Sequence, residues 1–344
     1  MDKIKVAIAC QGGGSHTAFT AGVLAELMDR GLPDRYQVIA LSGTSGGGIC
    51  AAAAWYGLIK AAQGSKEPKS KWLEAFWHDN SANEPWALAI NSWTQQTLRL
   101  QESGLLPSLE SSPYASDWLV SLCEALAPRR EYFDFQRLLE KHLPFEEIAT
   151  FPTATRPRLL LGAVDVTSGA FRVFDSAQER IRVQMLLATA AIPTLFKAVE
   201  LDGAFYWDGL FSKNPPIVDF LDQGKDDNPD EIWIIRINPQ TIDKPPTTPG
   251  SILDRRNELA GNLSLNQEQA FIETVNRWLD RFKGTAVAQE LEEKYKPIRF
   301  RDIQMDAAFA NDLDYASKLD RSREFIDRLI RHGKERAGLF LDHL

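Results

Sequence analysis

Two glycine-rich segments, each directly behind a short apolar run, constrain the fold of this 344-residue chain more than any other feature. The first run, Ile4–Cys10, leads into Gly12-Gly13-Gly14, and the second, Gln37–Ser42, leads into Gly43-Thr44-Ser45-Gly46-Gly47. Apolar runs of this length are typical of buried parallel strands. Apolar residues recur at helical spacing after each motif, and the order strand, helix, strand, helix predicts an α/β sheet covered by helices.

Strand signals return in the second half of the chain. Arg158–Val166 and Phe171–Phe174 are predicted to form a hairpin, and a second strand pair is predicted within Val199–Trp207, around an Asp-Gly turn. Glu231–Asn238 is predicted to be a late buried strand. Together these elements predict a three-layer α/β/α sandwich with a mostly parallel central sheet.

A tryptophan-rich stretch separates the two sets of strands, at about residues 72–143. Six of the nine tryptophans lie between Trp55 and Trp118. Prolines divide the stretch into predicted helices at Pro85, Pro107, Pro113 and Pro128. It is predicted to be a helical cap that offers an apolar wall to a lipid chain, or an ordinary helical subdomain with an aromatic core. We expect one α/β domain over residues 1–240 with this insert, and a mainly helical region, 241–344, packed on the same domain.

Charge and cysteine content narrow the class of protein. A formal net charge of −8 argues against nucleic-acid binding, which depends on Lys and Arg neutralising phosphates. The three cysteines, Cys10, Cys50 and Cys123, have no metal-ligand spacing and indicate reduced thiols in the cytoplasm. The apolar run within Met1–Cys10 is too short for a secretion signal, and no apolar stretch approaches the ~20 residues that span a bilayer. We expect a cytoplasmic protein without metal or cofactor; peripheral contact with a membrane and the oligomeric state stay open.

The second glycine motif has the pattern G-x-S-x-G, a strand-to-helix turn that exposes a serine oxygen at the edge of a sheet. Ser45 is therefore a candidate nucleophile, and the N–H groups of the first glycine motif can hold an oxyanion. A nucleophile beside an oxyanion site predicts acyl transfer, most simply ester hydrolysis. Nucleotide binding is disfavoured, because no Gly-Lys-Ser/Thr follows the glycines and Thr17 breaks the pattern G-x-G-x-x-G.

Ser45 needs a base, because a neutral hydroxyl is a poor nucleophile. None of the five histidines follows a late strand, where a hydrolase of the Ser-Asp-His order places its histidine. Asp208 is the better candidate, since it follows an apolar strand in a turn that can face Ser45. Asp165 and Asp202 are the alternatives, and both lie in turns, where aspartate is common for its local hydrogen bonds.

In their order along the chain, the two glycine motifs and Asp208-Gly209 resemble the patatin-like phospholipase family. Three segments strengthen the resemblance: Ala163–Gly169, Ala188–Phe196 and Asp208–Pro216. The resemblance covers about residues 4–60 and 158–238, so the helical insert and the C-terminal third lie outside it.

The resemblance implies a Ser–Asp dyad that works without histidine. Ser45 would attack an ester carbonyl, and Asp208 would accept its proton and return it to the leaving alcohol. The implied substrates are fatty acyl esters of phospholipids or lysophospholipids. The implied oxyanion donors are the N–H groups of Gly12, Gly13 and Gly14, and the elbow glycines are Gly43, Gly46 and Gly47.

Four positions depart from the family pattern. Gln11 stands where Asp usually precedes the glycines, and Leu210 replaces a Gly or Ala. His16 and Thr17 replace the usual basic residue and glycine. His16 is expected either to supply positive charge near the glycines when protonated, or to be a surface residue at a helix start. Two other functions stay open: an acyltransferase with the same dyad, and a catalytically weak lipid-binding scaffold.

Overall fold

The computed structural model describes residues 3–106, 129, 134–193 and 195–344. Within them the strands are β1 (Ile4–Cys10), β2 (Tyr36–Gly43), β3 (Arg158–Asp165), β4 (Phe171–Asp175), β5 (Val199–Leu201), β6 (Ala204–Asp208), β7 (Glu231–Arg236) and β8 (Arg299–Gln304). The helices are α1 (Ala18–Asp29), α2 (Gly46–Ala62), α3 (Lys71–Asn80), α4 (Pro85–Glu102), α5 (Phe135–His142), α6 (Phe145–Ile148), α7 (Val183–Thr189), α8 (Pro249–Arg281), α9 (Ala286–Lys294), α10 (Ala307–Asn311) and α11 (Arg323–Asp342).

The strands form one mixed sheet in the order β5-β6-β3-β2-β1-β7-β8, with β4 also paired to β3. The five neighbouring strands β3-β2-β1-β7-β8 run parallel. Strands β4, β5 and β6 add antiparallel pairs at one side. Cys10 pairs with Gly43 in the parallel register of β1 and β2. The two glycine motifs therefore leave the sheet side by side at its carboxyl edge, where ligands bind in open α/β sheets.

Asp208 reaches the same edge from the other direction. It ends the antiparallel strand β6 and pairs with Ala163 of β3, two residues beyond the point where Leu161 pairs with Gly43. The sheet thus brings together three segments that are far apart in the sequence.

Helices cover both faces of the sheet and bury a core on each side. On one face α1, α2 and α11 pack over the central strands, with Phe19, Leu24 and Leu329 fully buried. On the other face α8 contributes Leu265 and Ile272, which pack against the small and branched residues of β1 and β7. This arrangement confirms the predicted three-layer α/β/α sandwich with a mostly parallel sheet.

The C-terminal region is more closely integrated than a helical appendage. Its strand β8 pairs in parallel with β7 and extends the sheet, which the expectation of a mainly helical region missed. The sequence Arg-Phe-Arg-Asp-Ile-Gln of β8 carries three charged residues because it forms the outer strand, where one edge and part of the faces meet solvent. Helix α11 packs so closely on α1 that a side chain at Gly22 would collide with the backbone of Ile330.

The predicted helical insert is represented by α3, α4 and α5. Three of the prolines used to divide it (Pro107, Pro113 and Pro128), together with Trp118 and Cys123, lie outside the described residues. The division of the chain at residue 240 stays a prediction. No helix in the described part of the chain has both the length and the apolar character needed to cross a membrane.

Candidate active site

Ser45 lies in a sharp turn between the end of β2 and the start of α2. Its backbone has φ 57° and ψ −138°, a conformation that is rare for L-residues and typical of a nucleophile elbow. Close approach explains the predicted elbow glycines: a Cβ at Gly43 would lie 2.5 Å from the carbonyl oxygen of Gly47, and a Cβ at Gly46 would collide with the segment that starts α1. Thr189 O accepts the Ser45 N–H at 3.0 Å and holds the turn. Ser45 is 6% exposed, at the floor of two cavities.

The first glycine motif, which we call the glycine loop (Gly12, Gly13 and Gly14), lies directly against the elbow. A Cβ at Gly12 would lie 2.8 Å from the Cβ of Ser45, so only glycine lets the loop approach the nucleophile this closely. The Gly12 N–H donates a 2.7 Å hydrogen bond to Asn214 Oδ1. The N–H groups of Gly13 and Gly14 donate to no described residue, and all three glycines line a cavity that contains Ser45.

Asp208 is fully buried beside this turn. Its Oδ1 accepts the Leu210 N–H at 2.8 Å, and its Oδ2 makes no well-formed hydrogen bond with the described residues. Burial raises the pKa of Asp208 to about 7, and the Ser45 hydroxyl and the Leu210 N–H partly oppose this shift. The Ser45 hydroxyl therefore lies close enough to stabilise the ionised carboxylate, in a contact that falls short of a regular hydrogen bond, as is common in sites without substrate.

The two alternative bases lie elsewhere. Asp165 accepts hydrogen bonds from Thr167 and Ser168 in its own turn, and these hold its pKa low, at about 2. Asp202 pairs with Arg182, which lowers its pKa as well. Other groups thus hold both of these carboxylates, and of the three candidates it is the Asp208 carboxyl that interacts with the Ser45 hydroxyl.

His16 is a buried residue without charge, and it is neither the cation nor the surface residue that the sequence led us to expect. Its Nε2 lies 2.7 Å from Ser317 Oγ, and burial together with the nearby Lys318 ammonium lowers its pKa well below the usual range. A positive charge in the cavity beside the glycine loop belongs instead to Lys318. Its ammonium pairs with Asp254 and with Glu258, the latter at 3.3 Å.

Gln11 binds the glycine loop to the C-terminal half of the chain. Its Oε1 accepts the N–H groups of Ile237 and Asn238, each at 2.9 Å. Its Nε2 donates to Asn262 Oδ1 of α8, also at 2.9 Å. A neutral amide suits this fully buried position because it offers an acceptor and a donor together, which an ionised aspartate cannot do. We call these four residues the amide network.

Sequence reasoning missed most of the residues that surround Ser45. They come from segments with no motif of their own, so no local pattern identifies them. The missed residues that contact the glycine loop or line the cavities include Phe76, Trp77, Ile90, Phe135, Asn238, Asp254, Asn257, Glu258 and Lys318.

The site offers a hydroxyl, a carboxyl with a pKa near neutrality, and the backbone N–H groups of glycines that line a cavity. This set suits attack on an acyl carbonyl followed by proton return to a leaving group. In the described ranges, no group of three or more His, Cys, Asp or Glu side chains is arranged to hold a metal ion.

The chain matches the model of a known protein family. The family model described as "Patatin-like phospholipase" matches residues 8–221, which include both glycine motifs and Asp208. The chain belongs to the patatin-like phospholipase family, which confirms the resemblance drawn from its motifs. Members of this family act on lipids, and membership supports lipid hydrolase activity.

Solved structures of other proteins are distantly similar to this chain. VipD from Legionella pneumophila is 12% identical with a TM-score of 0.40, and the alignment covers 99% of this chain and 67% of that one. The type III effector protein ExoU is 13% identical with a TM-score of 0.35, and there the alignment covers 99% of this chain and 53% of ExoU. Comparison with curated protein sequences gives no significant match.

Proposed function

We propose that this protein is a serine lipid acyl hydrolase that cleaves fatty acyl esters through an acyl-enzyme on Ser45, with Asp208 as the base. The observation that carries the proposal is the fully buried Asp208 carboxyl beside the Ser45 elbow, whose pKa is raised to about 7 by burial. A base with this pKa is ionised in a large fraction of molecules near neutral pH and is still acidic enough to return the proton.

In the proposed reaction, Ser45 Oγ attacks the carbonyl carbon while its proton passes to Asp208 Oδ2. The carbonyl oxygen becomes an oxyanion, and the N–H groups of Gly13 and Gly14, which donate to no described residue, stabilise it. Gly12 N–H is held by Asn214, so its part is to fix the loop. The protonated Asp208 then gives its proton to the leaving alcohol, and water repeats the sequence to release the fatty acid from Ser45.

Phospholipids and lysophospholipids are the proposed substrates, and the apolar surroundings of the site support this choice. Leu195, Phe196 and Phe211 line the cavities and remain 39–49% exposed. Exposed apolar side chains at the rim of a lipid site can insert into a lipid surface, so we include peripheral membrane contact in the proposal.

Release of fatty acid from a panel of phospholipid and lysophospholipid esters tests the function. Wild type should release fatty acid with EDTA present, whereas Ser45→Ala and Asp208→Asn should lose at least about 10³-fold in kcat. A fluorophosphonate probe should label Ser45 in wild type. Acyl transfer to an added alcohol without fatty-acid release would identify an acyltransferase, and lipid binding without labelling would identify a scaffold.

A further inference from the structure

Two cavities meet at Ser45, which makes the site branched. One has a volume of about 260 Å³ and the other about 370 Å³. They share the residues Gly14, Ser45, Ile192, Leu195, Lys318 and Leu319. An ester has two parts on either side of its carbonyl carbon, so a branched site can direct the acyl chain and the alcohol into different cavities.

The larger cavity, which we call the aromatic arm, is lined by the helical insert. Phe76 and Trp77 of α3, Ile90 of α4 and Phe135 of α5 face Phe196 across it. The ring centroids of Phe76 and Phe135 are 6.4 Å apart, and those of Phe135 and Phe196 are 5.9 Å apart. This aromatic wall suits contact with a hydrocarbon chain, whose burial is worth about 0.8 kcal/mol for each methylene removed from water. The polar side chains of Asn80, Asn91, Thr94 and Arg321 also line this arm.

The smaller cavity, which we call the charged arm, lies between the glycine loop and α8. Its lining holds two carboxylates, Asp254 and Glu258, and two cations, Lys318 and Arg256. The amide side chains of Asn214, Asn238 and Asn257 lie among them. These groups offer hydrogen-bond donors and acceptors to a polar alcohol, beside apolar side chains such as Leu210, Phe211 and Leu253.

The position of Asp208 decides which part of the ester enters each arm. The base that takes the proton from Ser45 must give it to the leaving alcohol, so the alcohol lies on the side of Asp208. Asp208 itself lines neither arm, but Leu210, Phe211 and Asn214, in the segment that follows it, line the charged arm. No residue of 204–214 lines the aromatic arm.

Building on the proposed function, we propose that the acyl chain of the substrate occupies the aromatic arm and its polar alcohol occupies the charged arm. Ile90 and Asn257 are then specificity-determining residues for chain length and for the alcohol, respectively. The substrate class is an ester of one long acyl chain with a polar, hydrogen-bonding alcohol such as a glycerophosphoryl group.

A crossed pair of variants tests the assignment. Ile90→Trp narrows the aromatic arm, and Asn257→Trp narrows the charged arm. Leu88→Trp on α4 and Leu259→Trp on α8 are matched controls, because these residues are 42% and 41% exposed and line neither cavity. The substrates are nitrophenyl esters from butyryl to palmitoyl, together with palmitoyl lysophosphatidylcholine.

Ile90→Trp should lower kcat/KM for the palmitoyl ester at least about tenfold relative to the butyryl ester, since a tenfold loss requires only about two methylenes to be displaced. Ile90→Ala should not lower that ratio. Asn257→Trp should keep the chain-length profile of wild type, but should lower hydrolysis of palmitoyl lysophosphatidylcholine about tenfold relative to nitrophenyl palmitate. Both controls should behave as wild type, and thermal unfolding close to that of wild type shows that each variant is folded.

If the effects of Ile90→Trp and Asn257→Trp were reversed, or if both variants kept the substrate profile of wild type, the arm assignment would be overturned. The hydrolase proposal would still stand. A different result separates the two proposals. If wild type hydrolyses none of these esters, or if Ser45→Ala hydrolyses them equally well, the proposed function fails and the arm assignment fails with it.

Discussion

The Gly12 N–H donates a hydrogen bond to Asn214 Oδ1 across 2.7 Å, and this bond joins the glycine loop to the segment that follows Asp208. Because a donor faces Oδ1, the orientation of the amide is fixed, and its Nδ2 points away and makes no hydrogen bond with the described residues. The position of the proposed oxyanion donors is thereby coupled to the position of the proposed base.

We predict that Asn214→Ala lowers kcat about 10- to 100-fold with little change in KM, because the glycine loop is no longer held in position relative to Ser45. Steady-state kinetics with a soluble ester measures both constants. Asn228→Ala is the matched control, since Asn228 is also fully buried but lines neither cavity that contains Ser45. An equal loss of kcat in both variants would mean that Asn214 acts only through general stability.

The raised pKa of Asp208 predicts a simple dependence of activity on pH. The ionised carboxylate is the form that accepts the Ser45 proton, so kcat/KM should rise about tenfold per pH unit up to about pH 7 and level off above it. A soluble ester assayed across this range gives the profile. A flat profile through neutral pH would contradict the assignment of Asp208 as the base.

Asp208 should also make the folded protein less stable at alkaline pH. Its folded pKa of about 7 lies above the value of 3.8 for a free side chain, so folding favours the protonated form. The contribution of Asp208 to the free energy of unfolding is fully present below about pH 4. It is lost as pH rises through about pH 7, and the total loss is on the order of 4 kcal/mol.

Asp208→Asn keeps the Oδ1 acceptor for Leu210 and cannot ionise. We predict that the free energy of unfolding of this variant equals that of wild type under acid conditions. Above pH 7 it should be greater than that of wild type by roughly a few kcal/mol. Urea unfolding of both proteins at about pH 4 and about pH 8.5 measures the difference. A constant difference across this range would show that the carboxyl is not destabilised in the folded state.

The parts of this protein that could be predicted from sequence are those with a local signature. The apolar runs of β1 and β2 each end in glycines, which mark the glycine loop and the elbow at Ser45. The strand before Asp208 ends in the Asp-Gly pair that marks its turn. Parallel pairing then brings their carboxyl ends to one edge of the sheet. The fold class and the family follow from these short segments.

The rest depends on contacts between segments that are far apart in the chain. Asn262 lies 251 residues from Gln11, its hydrogen-bond partner, and no pattern around Asn262 indicates the contact. Lys318 comes from a short helical turn in the C-terminal region, yet its charge helps to keep His16 neutral. Such packing is set by the tertiary structure, so periodicity and composition give no sign of it.

The amide network predicts a large difference between two substitutions of Gln11. Gln11→Leu removes the acceptor for two buried N–H groups and the donor to Asn262, and should destabilise the protein by about 3 kcal/mol. Gln11→Glu keeps the acceptor and, when protonated, also the donor. It should unfold near wild type at acidic pH and lose stability as pH rises, because the buried carboxylate cannot donate.

Urea unfolding of both variants at acidic and alkaline pH tests this prediction. Wild type provides the correction for any pH dependence that arises elsewhere in the molecule. If Gln11→Leu were as stable as wild type, the amide network would contribute nothing to holding the glycine loop.

The backbone of Ser45 predicts that the elbow stores strain. With φ at 57°, any side chain at this position holds an unfavourable conformation, which costs on the order of 1–3 kcal/mol. Ser45→Gly relieves this cost, against a smaller loss of about 0.5–1 kcal/mol for the greater freedom of unfolded glycine. Ser45→Ala removes the same hydroxyl and keeps the strain, so both variants should be inactive while the glycine variant is about 1 kcal/mol more stable. Thermal unfolding compares them directly, and an alanine variant of equal or greater stability would show that the surrounding contacts impose no strain on the nucleophile.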